Sequence, residues 1–178
     1  LYGPKGIGAL YVRGGLKDIP LVPLIYGGGQ EKGVRSGTMN VPGIVGFGEA
    51  CKLANNLVVD EGVRLTSLRN QLENTILSHR NFIRINAGEA IRLPNTSSIT
   101  MVGVNADAFL LNLPEVMMGT GSACTSGALE PSHVLQAIGL SREDAASTVR
   151  ASLGRFTLES DIPKICDFFI GAINRMKL

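Results

Sequence analysis

The chain has no tryptophan, two histidines and three cysteines among its 178 residues. An odd cysteine count with no CxxC pair argues against a disulfide framework, a thioredoxin-type dithiol and a zinc-ribbon site. It points to a reducing setting, the cytoplasm or an organellar matrix. No apolar run approaches the roughly 18 residues of a membrane-spanning helix, and no charged-then-apolar leader opens the chain. A charge excess is missing too. Lys and Arg number 17 against 15 Asp and Glu, a net charge of +2. Neither nucleic acid nor a membrane is therefore expected as the main partner. There is no internal repeat and no low-complexity tract. The chain opens on Leu1 rather than methionine, already entering a Gly-Pro turn, and reads as a piece of a longer polypeptide.

What is present suits a globular α/β protein with a real core. Ile7-Gly8-Ala9-Leu10-Tyr11-Val12 is a short apolar run expected to form a strand buried on both faces. It follows the tight turn Tyr2-Gly3-Pro4-Lys5-Gly6, where Lys5 is read as a solvated turn lysine rather than a catalytic amine. Leu21 to Tyr26 should be extended, with Pro23 suiting an edge. Ile44, Phe47, Cys51, Ala54 and Val58 mark one helix, with Cys51 on its apolar stripe. Leu65, Leu68, Leu72 and Ile76 mark a second, so the boundary between two domains is placed near residues 58–62. Strands are expected at Phe82–Asn86, Ser97–Val102 and Val116–Met118, and a short helix at Asp107–Leu113. The final helix, capped by Thr157, buries Cys166 on a stripe with Ile162, Ile165, Phe169 and Ile173.

Two loops carry the chemistry. Gly27-Gly28-Gly29-Gln30-Glu31-Lys32-Gly33-Val34-Arg35-Ser36-Gly37-Thr38 offers backbone N–H groups, one guanidinium and two hydroxyls. It lies just ahead of a helix whose first turn holds Pro42. A flexible connector is the plainer reading, and Arg35 with two hydroxyls tilts the balance toward anion binding. It is no Walker A loop, because the Gly-Lys-Ser/Thr ending is absent. In Gly119-Thr120-Gly121-Ser122-Ala123-Cys124-Thr125-Ser126-Gly127, a single cysteine stands among small and hydroxylated residues. Reactive cysteines occupy such partly exposed places, and structural ones sit in apolar stripes. A phosphatase loop needs an arginine about six residues after its cysteine to clamp phosphate, and Glu130 stands there. A dithiol needs a second nearby cysteine. Both alternatives fail. His133 could activate Cys124, although a histidine in the first turn of a helix is more often solvated. In Ser147–Leu153 the alternation sends Val149, Ala151 and Leu153 inward and Thr148, Arg150 and Ser152 outward. An arginine framed by hydroxyls suits a planar carboxylate, while on the strand alone an exposed cation has the edge.

Taken together and in order, these residues resemble the C-terminal portion of a cysteine desulfurase, a pyridoxal-phosphate enzyme of the aspartate-aminotransferase fold type. The resemblance rests on Leu1-Tyr2-Gly3-Pro4-Lys5-Gly6-Ile7-Gly8-Ala9-Leu10-Tyr11-Val12, Gly27-Gly28-Gly29-Gln30-Glu31 and Arg35-Ser36-Gly37-Thr38. It continues through Gly121-Ser122-Ala123-Cys124-Thr125-Ser126, Leu129-Glu130-Pro131-Ser132, Val149-Arg150 and Leu153-Gly154-Arg155-Phe156.

The resemblance implies an α/β fold in which residues 1–58 close a large cofactor-binding domain and 59–178 form a small domain bearing the cysteine loop. It implies that Cys124 is the nucleophile, taking sulfur from L-cysteine as a persulfide and leaving L-alanine. Arg150 would hold the substrate carboxylate. Thr38 would reach the cofactor phosphate of the other subunit of a homodimer, with Arg35 in the same motif. The sulfur would pass to an acceptor or iron–sulfur scaffold protein. The family's Schiff-base lysine precedes the segment matching Leu1-Tyr2-Gly3, so this chain alone is expected to be inactive. Ala151 and His133 stand where aromatic residues are common in the family. Selenocysteine lyase activity and a non-catalytic module for dimerisation or acceptor docking are the alternatives.

Overall fold

Asn40 starts the longest element. Its Oδ1 accepts the Gly43 N–H at 3.1 Å, capping a helix, α1, that runs from Val41 to His79. In this computed structural model the described residues are 1–17, 19, 21–120 and 132–176. The chain divides into two compact units, Leu1–Val58 and Val59–Leu178, and α1 contributes residues to both. Two helices are expected from the sequence here, but one forms. Gly62 costs a helix only about 1 kcal/mol relative to alanine and no proline interrupts. The Thr66 hydroxyl donates to the Gly62 carbonyl at 2.8 Å and Arg64 pairs with Glu61 at 3.2 Å.

The first unit contains no strand among its described residues. The apolar runs at residues 7–12 and 21–26, expected as strands, are extended chain with Leu10, Tyr11, Val22, Leu24 and Tyr26 exposed. A strand exists only by exchanging N–H and C=O bonds with a neighbour, and this unit supplies none. The Gly-Pro turn packs on α1: a Cβ built on Gly3 would stand 3.0 Å from Ala50 Cβ, and one on Gly46 would stand 3.0 Å from Pro4 Cγ. Cys51, expected in the core, is half-buried.

The second unit is a four-stranded antiparallel sheet with helices. After α1 come β1 (Ile83–Ile85), β2 (Thr96–Met101), α2 (Ala106–Leu111) and β3 (Gly119–Thr120). Then follow α3 (His133–Ala137), α4 (Arg142–Ala146), β4 (Thr148–Ser152) and α5 (Asp161–Arg175). The sheet order is β1-β2-β4-β3. One core joins Leu65, Leu68, Leu72 and Ile76 of α1 with Ile83, Ile99, Met101, Val149 and Ala151 of the sheet. Phe109 of α2 and Ile162, Cys166, Phe169 and Ile173 of α5 complete it. The Phe109 and Phe169 rings lie 4.8 Å apart, tilted by 58°, a favourable edge-on arrangement. No helix among the described residues is long and apolar enough to cross a membrane.

Elsewhere in this unit the ends of several elements differ from expectation. The third strand is Gly119–Thr120 rather than residues 116–118, because pairing with β4 decides where a strand lies. Helix α4 is an addition, opened by the Ser141 hydroxyl accepting from Asp144 N–H at 3.0 Å. Thr157 does not cap α5. Its hydroxyl accepts from Gly154 N–H at 3.0 Å, within a turn that Arg64 clamps by donating to the carbonyls of Thr157, Arg155 and Gly154 at 2.7, 2.9 and 3.3 Å.

A buried ion pair ties the connection between β1 and β2 to α1. Arg92 donates from both terminal nitrogens to the two oxygens of Glu73, each at 2.6 Å, and Arg69 stands 3.9 Å from the same carboxylate. Arg69 also donates to the Leu93 carbonyl at 2.8 Å. Burial pushes the Glu73 carboxyl upward. The Arg92 bonds, the nearby Ser97 hydroxyl and the charges of Arg92 and Arg69 outweigh it, leaving Glu73 below its ordinary value. Ser97 Oγ is itself buried without a partner of ordinary hydrogen-bond geometry, so its share comes from proximity. A carboxyl lowered by folding stabilises the protein above its unfolded pKa, and that contribution disappears as pH falls through the folded one. Glu73→Gln is therefore expected to cost about 1–3 kcal/mol at neutral pH and progressively less below about pH 4. Urea midpoints measured against pH check this, and parallel curves for the two proteins would contradict it.

Candidate functional site

Strand β4 places Val149, Ala151 and Leu153 in the core and exposes Arg150 and Ser152 on the opposite face. Thr148, expected outward with Arg150, is buried. Its hydroxyl donates to the Asp144 carbonyl of α4 at 2.6 Å, so α4 covers that end of the face. The antiparallel register sets Arg150 between Ser98 of β2 and Gly119 of β3. Its Nη2 lies 3.8 Å from where a Gly119 Cβ would stand, so the guanidinium rests beside a residue with no side chain.

Arg150 lines a cavity of about 420 Å³ with Arg92, Ser98 and Thr148 and the apolar Leu93, Val134, Leu135 and Ile138. Arg92 is neutralised by Glu73. Arg150 has no hydrogen-bond or ion-pair partner among the described residues. An unpaired guanidinium on a mostly apolar wall has its donor fork available for a planar carboxylate. Low surrounding polarity strengthens that attraction relative to water.

The described residues on either side of residues 121–131 lie at this site. Thr120 pairs with Val149, and Ser132 lines the cavity. Cys124 itself lies outside the described residues.

The glycine-rich loop belongs to the first unit, so Arg35 and Thr38 share one loop while Arg150 stands in the other unit. Its amides are not gathered for an anion. Gly29 N–H donates to Ser36 Oγ at 3.3 Å, Gly37 N–H to Gln30 Oε1 at 2.9 Å and Gly33 N–H to the Gly29 carbonyl at 3.1 Å. Ser36 is buried and occupied by this internal bonding. Arg35 donates to the carbonyls of Gly37 and Thr38 at 2.9 and 3.4 Å, which holds it beside Thr38. Both side chains are exposed, and the Thr38 hydroxyl has no partner among the described residues.

The other candidates are spectators by position. His133 and Lys5 are exposed. Burial pushes the Cys166 thiol up, a nearby Thr75 hydroxyl opposing and Asp167 adding to the rise, so this sulfur is a poor nucleophile. Among the described residues no three His, Cys, Asp or Glu side chains gather as a metal site. Sequence reasoning passed over Ser98, Asn86 and Arg92. The first was within reach, because alternation through Ser97-Ser98-Ile99-Thr100 puts Ser98 on the face away from Ile99.

A family model described as aminotransferase class-V matches residues 1–165. The chain is 39% identical over 177 residues to cysteine desulfurase IscS of Anaeromyxobacter sp. (strain Fw109-5), covering 99% of this chain and 44% of that protein. It is 40% identical over 179 residues to cysteine desulfurase IscS 1 of Archaeoglobus fulgidus, covering 99% and 46%. Among solved structures, a NifS-like protein superposes with a TM-score of 0.81 at 32% identity, covering 97% of this chain and 43% of that one. The NifS-like protein of Rickettsia africae gives 0.75 at 33%, covering 86% and 40%. The chain spans less than half the length of these relatives.

Proposed function

Because this chain belongs to the class-V aminotransferase family, we propose that the protein bearing it is a cysteine desulfurase, with Cys124 as its nucleophile. The observation that carries the reading is Arg150, a guanidinium on the cavity wall with no partner among the described residues, flanked by the strand that leads into the cysteine segment. The similarity of nearly the whole chain to cysteine desulfurases supports it.

Pyridoxal phosphate is the cofactor this family implies. Its phosphate fits the donor set of the glycine-rich loop, where a guanidinium is held beside Thr38, whose hydroxyl has no partner among the described residues. Arg35 and Thr38 are the residues proposed to hold it, Thr38 from one subunit of a homodimer toward the other. Bound pyridoxal phosphate supplies an electron sink for the amino acid. Its anchoring lysine is proposed to come from outside these 178 residues.

This chain's residues have the following roles. Arg150 holds the carboxylate of L-cysteine and fixes its orientation. The Cys124 thiolate attacks the substrate sulfur. One S–S bond forms and the Cβ–S bond breaks. The carbon keeps the electron pair and takes a proton, becoming the methyl group of L-alanine. Cys124 is left as a persulfide, and no outside oxidant or reductant is needed. The small, hydroxylated residues around Cys124 suit a carrier that must serve a substrate and then a sulfur-accepting protein, such as an iron–sulfur scaffold. The test is stoichiometry. The intact protein, loaded with pyridoxal phosphate, should form L-alanine from L-cysteine and release equal sulfide when a thiol reductant is present. Absence of alanine would overturn the reading.

A further inference from the structure

A chain of hydrogen bonds crosses the outer face of the sheet and ends beside Arg150. It begins at the Asp144 carbonyl, which can only accept. Thr148 donates to it at 2.6 Å, and a hydroxyl has one proton to give. The 2.7 Å contact between Thr100 and Thr148 is therefore donated by Thr100. With its proton spent, Thr100 must accept, and it does so from Asn86 Nδ2 at 2.9 Å. The longer 3.1 Å approach of Thr100 to Asn86 Oδ1 carries no proton. The second Asn86 Nδ2 hydrogen goes to Ser98 Oγ at 3.0 Å. Ser98 thus accepts, and its own O–H has no acceptor among the described residues.

Ser98 is the cross-strand neighbour of Arg150 and lines the same cavity. Such neighbours on one face carry their Cβ atoms about 5 Å apart. Both residues also line one cavity, so a carboxylate that enters it meets the Ser98 hydroxyl and the guanidinium on the same wall. We infer that the Ser98 hydroxyl is a second donor to the carboxylate held by Arg150, and that Asn86 is a positioning residue that keeps the Ser98 proton turned to the ligand. The inference rests on the proposed function and adds to it a selection for substrates with a carboxylate at this spot.

The test uses the intact protein loaded with pyridoxal phosphate. Ser98→Ala should raise KM for L-cysteine about tenfold with little change in kcat, the usual weight of one hydrogen bond to a charged group. Ser98→Thr, which keeps the hydroxyl, should restore most of the loss. Inhibition by L-alanine should weaken equally in Ser98→Ala. Inhibition by cysteamine, which has no carboxylate, should not change. A wild-type protein that makes no alanine from cysteine overturns the proposed function and this inference with it. An active wild type whose Ser98→Ala variant keeps its KM, or weakens equally toward cysteamine, overturns this inference alone.

Discussion

Replacing Cys124 by alanine is expected to reduce sulfide release from L-cysteine by about 10³-fold or more in the intact, cofactor-loaded protein, the scale at which loss of a nucleophile is felt. No other thiol in this chain is a substitute. Cys166 sits on the buried face of α5 in the core, with burial holding its proton on. Cys51 is half-buried within α1. Cysteine should still bind, since Arg150 and the proposed cofactor contacts are untouched. The variant thus separates chemistry from binding: kcat collapses while affinity for L-alanine stays. Sulfide release at the wild-type rate would remove Cys124 from the mechanism.

Arg150→Ala is expected to lower kcat/KM for L-cysteine by about 10²–10³-fold, mostly through KM. A bidentate charge-assisted contact to a charged ligand contributes about 3–4 kcal/mol, and each 1.4 kcal/mol is a factor of ten. Arg150→Lys should recover only part of this, because an ammonium keeps the charge and loses the planar fork. Thermal unfolding should hardly move, since Arg150 is exposed and has no partner among the described residues. A variant with unchanged KM, or one that melts early, would show that the guanidinium serves the fold instead of the substrate.

The second unit was largely legible because its signals are local and agree with each other. Spacings of three and four mark the α1 and α5 stripes, and the alternation in Val149-Arg150-Ala151 sets the two faces of β4. The first unit was legible as composition and misleading as structure. Ile7–Val12 has the make-up of a strand, but a strand is a relation between two segments, and no described residue of this unit pairs with it. The glycine-rich loop failed differently. Its glycines do free the backbone, but Gln30 and Ser36, close in sequence, take the amides first. Asn86, Ser98 and Thr148 were hidden because their partnership needs strands β1, β2 and β4 in one register, which no linear pattern states. Cys124 stands on its sequence setting and on similarity to known desulfurases, with described neighbours on either side.

The most direct measurement of the central claim is the mass of the peptide containing Cys124 after brief exposure of the cofactor-loaded protein to L-cysteine, with an alkylating agent to trap thiols. The account predicts one additional sulfur atom on that peptide, absent when L-alanine replaces L-cysteine and removed by a thiol reductant. A Cys124 peptide that gains no sulfur while the protein forms alanine would contradict it.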